Sequence, residues 1–186
     1  MASPVSICSN ALLKLGAGTI ADFTENTVSA TLCANLWPQV RDAVLRAHPW
    51  NCAVKRANLA PKTTVPVYGY SFAFALPADC LRLLEADTAY DYKVEGRDVL
   101  GDENPLYIRY IFKNEDVASY DTLLVDALTA AMQAELAYPI TKSTAQQEAS
   151  WRLYSEKLKL ARSVDASEDS PDQFGSNSPL LDVRGI

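Results

Sequence analysis

The chain has 186 residues with a net charge of −6, and 48% of its residues are hydrophobic and 22% charged. This composition is typical of a globular protein, and at this length a compact fold needs neither metals nor disulfides for stability. The acidic balance, with an isoelectric point near 4.8, argues against a duplex-DNA binder that neutralises phosphates with basic side chains.

Cysteine usage and the N-terminus indicate the compartment. The four cysteines contain no C-x-x-C pair, which predicts neither a zinc site nor a redox motif; they are Cys8, Cys33, Cys52 and Cys80. The first ten residues lack a basic stretch followed by an apolar one, so no signal peptide is expected. No apolar run approaches the roughly 20 residues of a membrane helix. These features predict a soluble cytosolic protein with free thiols and no membrane contact.

The first fifty residues are predicted to form two helices. Ser3-Pro4 is a favourable helix start, and Gly16 is a suitable end. The second helix carries an apolar residue at every fourth position and ends at His48-Pro49, because a residue before proline disfavours helical geometry. Pro38 lies inside this helix and predicts a kink. The repeating residues are Val28, Leu32, Leu36, Val40 and Val44.

From Trp50 the pattern changes to the alternation of β-strands. A first strand is expected there, followed by a long loop over 58–69 that contains two prolines. Gly96 supplies the positive φ angle that a hairpin turn requires. The remaining predicted strands are 70–76, 81–86, the two arms of the hairpin within 90–100, and 106–112. These short strands predict a small antiparallel sheet or sandwich.

The C-terminal third returns to helical periodicity. Asp121 is predicted to cap a third helix that ends at Pro139, and Ser143 or Thr144 to cap a fourth that runs through Val164. From residue 165 onward the chain is polar and acidic, too poor in apolar residues to fold alone. The predicted class is α+β, mainly α. A bundle of about four helices (1–49 and 116–164) holds an inserted antiparallel β domain (50–115), and an extended acidic tail (165–186) follows.

Few residues suggest catalysis. His48 is the only histidine, and a corner histidine that hydrogen-bonds a carbonyl is favoured over a catalytic one. Glu95 and Asp98, or Asp79, offer carboxylates for a hydrolase of cell-envelope polysaccharide. Nothing in the sequence places two of them in an apolar cleft that would separate their pKa values. We therefore predict no enzyme, no cofactor and no metal. A cytosolic module that binds a host protein through its β face is a further alternative.

Several stretches carry a family resemblance when taken together in their order along the chain. They are RDAVLRAHPWNCAVKRANLA (41–60), YGYSFAFALPADCLRLLEA (68–86), EGRDVLGDE (95–103) with LYIRYIF (106–112), and LLVDALTAAMQAELAYPIT (123–141). This succession resembles the tail tubular protein A family of short-tailed bacteriophages, which are head-to-tail adaptors also called gatekeeper ring proteins. A resemblance distributed over several blocks is more specific than a single motif.

The resemblance implies a structural protein of the virion rather than an enzyme. Such adaptors have a helical bundle with an inserted β domain and form a homo-oligomeric ring, a dodecamer, under the portal protein. One side of this connector grips the portal and the other meets the tail nozzle or tube, while DNA passes through the channel without specific binding. The expected location is the head–tail junction, after synthesis and assembly in the bacterial host cytoplasm.

The adaptor interpretation assigns three sets of contact residues. Apolar residues and an arginine of the tail are expected to bind the portal: Phe174, Leu180, Leu181, Arg184 and Ile186. Two loops of the β domain are expected to face the next tail component through Val65, Tyr68, Glu95 and Arg97. The alanine-rich third helix is slim enough for a neighbouring subunit to approach, and its contact residues are Ala127, Ala131 and Ala134.

Overall fold

The computed structural model describes residues 2–168, which form four α-helices and six short strands. The helices are α1 (Pro4–Lys14), α2 (Val28–Arg46), α3 (Thr122–Thr141) and α4 (Thr144–Glu168). The strands are β1 (Val54–Leu59), β2 (Phe72–Ala75), β3 (Cys80–Asp87), β4 (Lys93–Glu95), β5 (Asp98–Gly101) and β6 (Leu106–Phe112). The predicted class, α+β and mainly α, is confirmed.

Side-chain caps explain where the helices begin. Ser3 and Ser6 form a reciprocal capping box at the start of α1, with Pro4 in the first turn. The Asp121 carboxylate accepts from the Leu123 amide at 2.7 Å and starts α3. Both starts were predicted, because each cap uses only neighbouring residues. The α2 cap is Thr27, whose side chain accepts from the Ala30 amide.

Helix α3 lies at the centre of the bundle and contacts the other three helices. Its small side chains allow this close packing, and Ala127, Ala131 and Ala134 are all buried within the chain. The prediction that these alanines contact a neighbouring subunit is therefore wrong. The small side chains of α3 allow the other helices of the same protomer to pack closely against it.

Two predicted helix ends also need correction. Pro139 lies inside α3, which continues to Thr141 and ends at Lys142 in the left-handed conformation (φ 55°). A proline in the last turn removes only one backbone hydrogen bond, so it does not stop the helix at once. Helix α4 continues to Glu168, so residues 165–168 are helical rather than part of an extended tail. The cause is Asp165, which bonds to the corner that follows α2.

The six strands form two three-stranded antiparallel sheets, here called sheet A (order β1-β6-β3) and sheet B (order β2-β5-β4). Together they are the β unit. Between them lies a core of seven buried residues: Leu59, Phe74, Cys80, Val99, Leu106, Ile108 and Tyr110. Strand β6 has its predicted bounds, and Gly96 turns the hairpin with φ 62°. Strand β1 begins later than expected, because Asn51–Ala53 form a 3-10 turn.

Strand β6 belongs to both cores of the protein. Its residues Leu106, Ile108 and Tyr110 face the core between the sheets, whereas Ile111 packs into the helical core. Ile111 is paired with Val54 across the sheet. The two strands that connect the bundle to the β unit therefore run side by side.

A proline-tryptophan corner joins α2 to the β unit. Trp50 is 1% exposed, and its indole N–H donates to the Val44 carbonyl at 3.0 Å. The His48 ring and the indole pack in a T-shaped arrangement, with ring centroids 4.8 Å apart. Hence Trp50 fills the helical core and also fixes the direction in which the chain leaves α2.

A buried asparagine organises the return from β6 to α3. The Asn114 side chain donates to the Cys52 carbonyl (2.7 Å) and to the Ser119 hydroxyl (2.8 Å), and it accepts from the Asp116 amide (3.0 Å). The Tyr120 hydroxyl donates to the Asn114 carbonyl. These bonds connect the segment that leaves the bundle, at Cys52, to the segment that returns to it, at residues 114–120.

Candidate protein-interaction site

The loop between β1 and β2 presents large apolar side chains to solvent. Val65, Val67 and Tyr68 are 62%, 98% and 87% exposed. Pro61 and Pro66 restrict the backbone of this loop, which lowers the conformational entropy that ordering it at an interface would cost. The loop therefore offers apolar contact area in a partly preorganised form.

The β4–β5 hairpin stands beside this loop and completes the surface. The two segments enclose a groove of about 340 Å³ that is lined by Val65, Tyr68 and Glu95 together. We call the loop 62–70 with the hairpin 93–98 the tip site. The structure thus brings together three of the four residues predicted to face the next tail component.

The charged groups that line the groove are paired with one another. Lys62 lies 2.7 Å from Asp98, and Lys93 lies 3.2 Å from Glu95. The hydrogen bond and charge of Glu95 raise the pKa of Lys93, so this lysine stays protonated. Exposed ion pairs of this kind add little stability. Their effect is to leave the groove without net charge, so contact there depends on its apolar side chains.

Arg97, the fourth predicted residue, lies in the hairpin but does not line the groove. Its guanidinium donates to the carbonyls of Pro77, Ala78 and Cys80, so it braces the turn between β2 and β3 from the hairpin. Arg97 remains exposed, so its contact with a partner stays a prediction. The oxygens that accept from Arg97 belong to the backbone. Since every residue has such an oxygen, the sequence does not indicate which ones this arginine contacts.

Further exposed residues that were not predicted as contact residues lie next to the tip site. Tyr90, Tyr92 and Val94 are exposed on β4 and the segment that leads into it. Strand β4 lies at the edge of sheet B, and its three residues are all exposed. The signal in the sequence was the pair of tyrosines beside a short strand, since aromatic residues on an edge strand that covers no core are exposed.

The carboxylates considered for hydrolysis are not arranged as an acid–base pair. Glu95 and Asp98 each contact a lysine on the open surface of the tip site. Asp79 contacts Lys55 at 3.1 Å and accepts from the Tyr110 hydroxyl at 3.2 Å. General-acid carboxyls need an apolar enclosure that holds a proton at neutral pH. The surroundings of these three residues do not provide one.

His48 is bonded to a carboxylate, not to the carbonyl that was expected. Its Nε2 lies 3.1 Å from the Asp165 carboxylate. Burial lowers the pKa of His48, and the nearby Arg162 and Arg82 lower it further, while Asp165 acts in the opposite direction. The imidazole is therefore neutral at neutral pH. It joins the end of α4 to the corner after α2.

This histidine predicts a pH dependence of stability. Because its pKa is lower in the folded than in the unfolded chain, the unfolded state binds the proton first as the pH falls below about 6.5. We expect the wild type to lose more stability between pH 7.5 and 5.5 than the variant His48→Gln. Urea unfolding of both proteins at the two pH values measures the difference. An equal loss in both would contradict the assignment.

Within residues 2–168, no cluster of three or more histidine, cysteine, aspartate or glutamate side chains is placed to hold a metal ion. No helix in this part of the chain is long and apolar enough to cross a membrane. The residues predicted to bind the portal lie outside the described residues: Phe174, Leu180, Leu181, Arg184 and Ile186. Compared with known proteins, the chain matches no protein-family model and no curated protein.

Proposed function

We propose that this protein is a structural adaptor of a bacteriophage head–tail junction, which forms a ring between the portal protein and the tail nozzle or tube. The proposal starts from the family resemblance of the sequence blocks quoted above. The architecture is compatible with it, since a helical bundle carries an inserted antiparallel β unit. The observation that supports it most is the tip site.

The tip site has the properties of a protein-binding surface. Contiguous exposed apolar residues are unfavourable in water and mark interaction sites on soluble proteins. Tyrosine is enriched among the residues that dominate binding energy, and depletion of net charge is typical of the centre of an interface. Val67 and Tyr68 meet these criteria, and the paired lysines and carboxylates would form the polar rim. We assign this surface to the next tail component.

Cosedimentation tests the proposal. The purified protein is mixed with the portal ring of the phage that encodes it, and separately with the tail nozzle protein. We expect association with both in a fixed ratio. The double variant Val67→Asp/Tyr68→Asp should bind the nozzle at least about thirtyfold more weakly, since loss of an interface hot spot costs about 2 kcal/mol or more. Its portal binding should not change.

The control is Val28→Asp, which introduces a single aspartate at an exposed valine at the start of α2. It should bind both partners like the wild type. Normal nozzle binding by the double variant would reject the tip site. A folded protein that associates with neither component would reject the adaptor role and favour the second candidate, a module that binds a host protein through the same exposed tip.

A further inference from the structure

The outward face of sheet A is open and carries opposed charges. Cross-strand pairing places Arg56, Arg109 and Glu85 in one row, and Asn58, Tyr107 and Asp87 in the next. These residues line the groove of about 610 Å³ on that face. We call it the outer face of sheet A.

Arg56 is placed unfavourably on this face. Arg109 contacts both carboxylate oxygens of Glu85, at 2.7 and 3.0 Å, so this acid is already engaged. Arg56 stands directly opposite Arg109, and it makes no ion pair with any residue between 2 and 168. Like charges in directly opposed positions destabilise a sheet. An anion bound here would remove that cost.

The end of α4 lies at the base of the same face. Asp165 accepts from the Asn51 amide at 3.2 Å, and Asn51 begins the short 3-10 turn that precedes β1, the strand that carries Arg56. Arg82 and Arg162 are close enough to His48 to influence its protonation. Neither forms an ion pair within the described chain. The last turns of α4 therefore lie close to two arginines, Arg82 and Arg162, that form no ion pair within residues 2–168.

The chain that continues beyond the described residues carries charge opposite to that of Arg56, Arg82 and Arg162. Residues 169–186 contain three aspartates against one arginine, together with Phe174 and several aliphatic residues. Along β1 the distance from Val54 to Asn58 is about 13 Å at 3.3 Å per residue. Eighteen residues extend to about 60 Å, so the segment is long enough to cover the outer face from where α4 ends.

We propose that residues 169–186 dock on the outer face of sheet A of their own chain, with Asp169 and Asp172 near Arg56. The contact supplies the missing anion for Arg56 and covers the groove beside Tyr107. It concerns the free chain and does not depend on the adaptor role.

A nitroxide attached to the variant Ser176→Cys of the 186-residue chain tests this docking. The native thiols react poorly, because Cys8, Cys33 and Cys80 are buried and burial raises the pKa of Cys52 to about 11. We expect the nitroxide to broaden the amide NMR signals of residues 56–58 and 107–109. Raising the salt to about 0.5 M should weaken the effect, since the contact is partly ionic.

The charge-reversal variant Arg56→Glu should lose this broadening, and Arg152→Glu, an exposed arginine on α4, should keep it. Asp169→Asn with Asp172→Asn should also lose it, and these changes leave the sheet itself untouched. Broadening that is absent, or that centres on another surface, would overturn the proposal. A sample that mixes isotope-labelled chains with separately nitroxide-labelled chains detects docking between copies. Broadening of equal strength there would overturn docking within one chain.

Discussion

Trp50→Ala is expected to lower the free energy of unfolding by about 3–5 kcal/mol, the range for removing a large aromatic side chain from a well-packed core. The indole is buried in the helical core, and its N–H bond to the Val44 carbonyl would be lost. For a domain whose total stability is of the order of 5–15 kcal/mol, such a loss removes much of the margin. Urea unfolding, followed by circular dichroism, measures it.

Trp151 provides the matched control. It is 39% exposed on α4 and packs edge-on against Tyr154, so Trp151→Ala should cost about 1 kcal/mol or less. Equal losses at the two positions would show that the proline-tryptophan corner does not have the structural role described for it.

Asn114→Ala is expected to cost about 2–4 kcal/mol. The change leaves the Cys52 carbonyl and the Asp116 amide without their partner, and unpaired buried groups cost about 1–3 kcal/mol each. The packing of the small asparagine contributes less, so the loss would come mainly from hydrogen bonding. Chemical denaturation of the variant measures it.

Asn35→Ala is the comparison for this change. Asn35 is exposed on α2, where alanine is the better helix former, so its stability should stay within about 0.5 kcal/mol of the wild type. A cost below 1 kcal/mol for Asn114→Ala would mean that water replaces the lost hydrogen bonds. The Asn114 side chain would then contribute little to the stability of the connection between β6 and α3.

The elements predicted most accurately are those determined by local chemistry. Strand β6 is a dense run of aromatic and β-branched residues, and both of its bounds were predicted. The caps Ser3 and Asp121 act on amides two or three residues away. The end of α4 was not predicted, because Asp165 is held by His48 from 117 positions earlier in the chain. A periodicity argument has no access to such a contact.

In the candidate site, too, the features determined by local sequence were predicted and those that depend on distant contacts were not. The loop with Val65 and Tyr68 was expected to be exposed because two prolines interrupt the strand pattern, and the hairpin was expected from Gly96. That the two lie side by side follows from the order of strands in sheet B, which the sequence analysis left open. Burial of Ala127 was equally consistent with packing against a neighbouring helix of the same chain or of another subunit. Only the tertiary structure distinguishes them.

The pairing of Val54 with Ile111 has a consequence for how this protein can vary. Both ends of the β unit connect to the bundle through adjacent strands, β1 and β6. The inserted segment is therefore attached to the bundle at a single place. Its outer loops and hairpins can change in length or surface without moving the helices, provided that Ile111 still fills the helical core. New specificity can thus evolve at the distal end while the bundle keeps its own contacts.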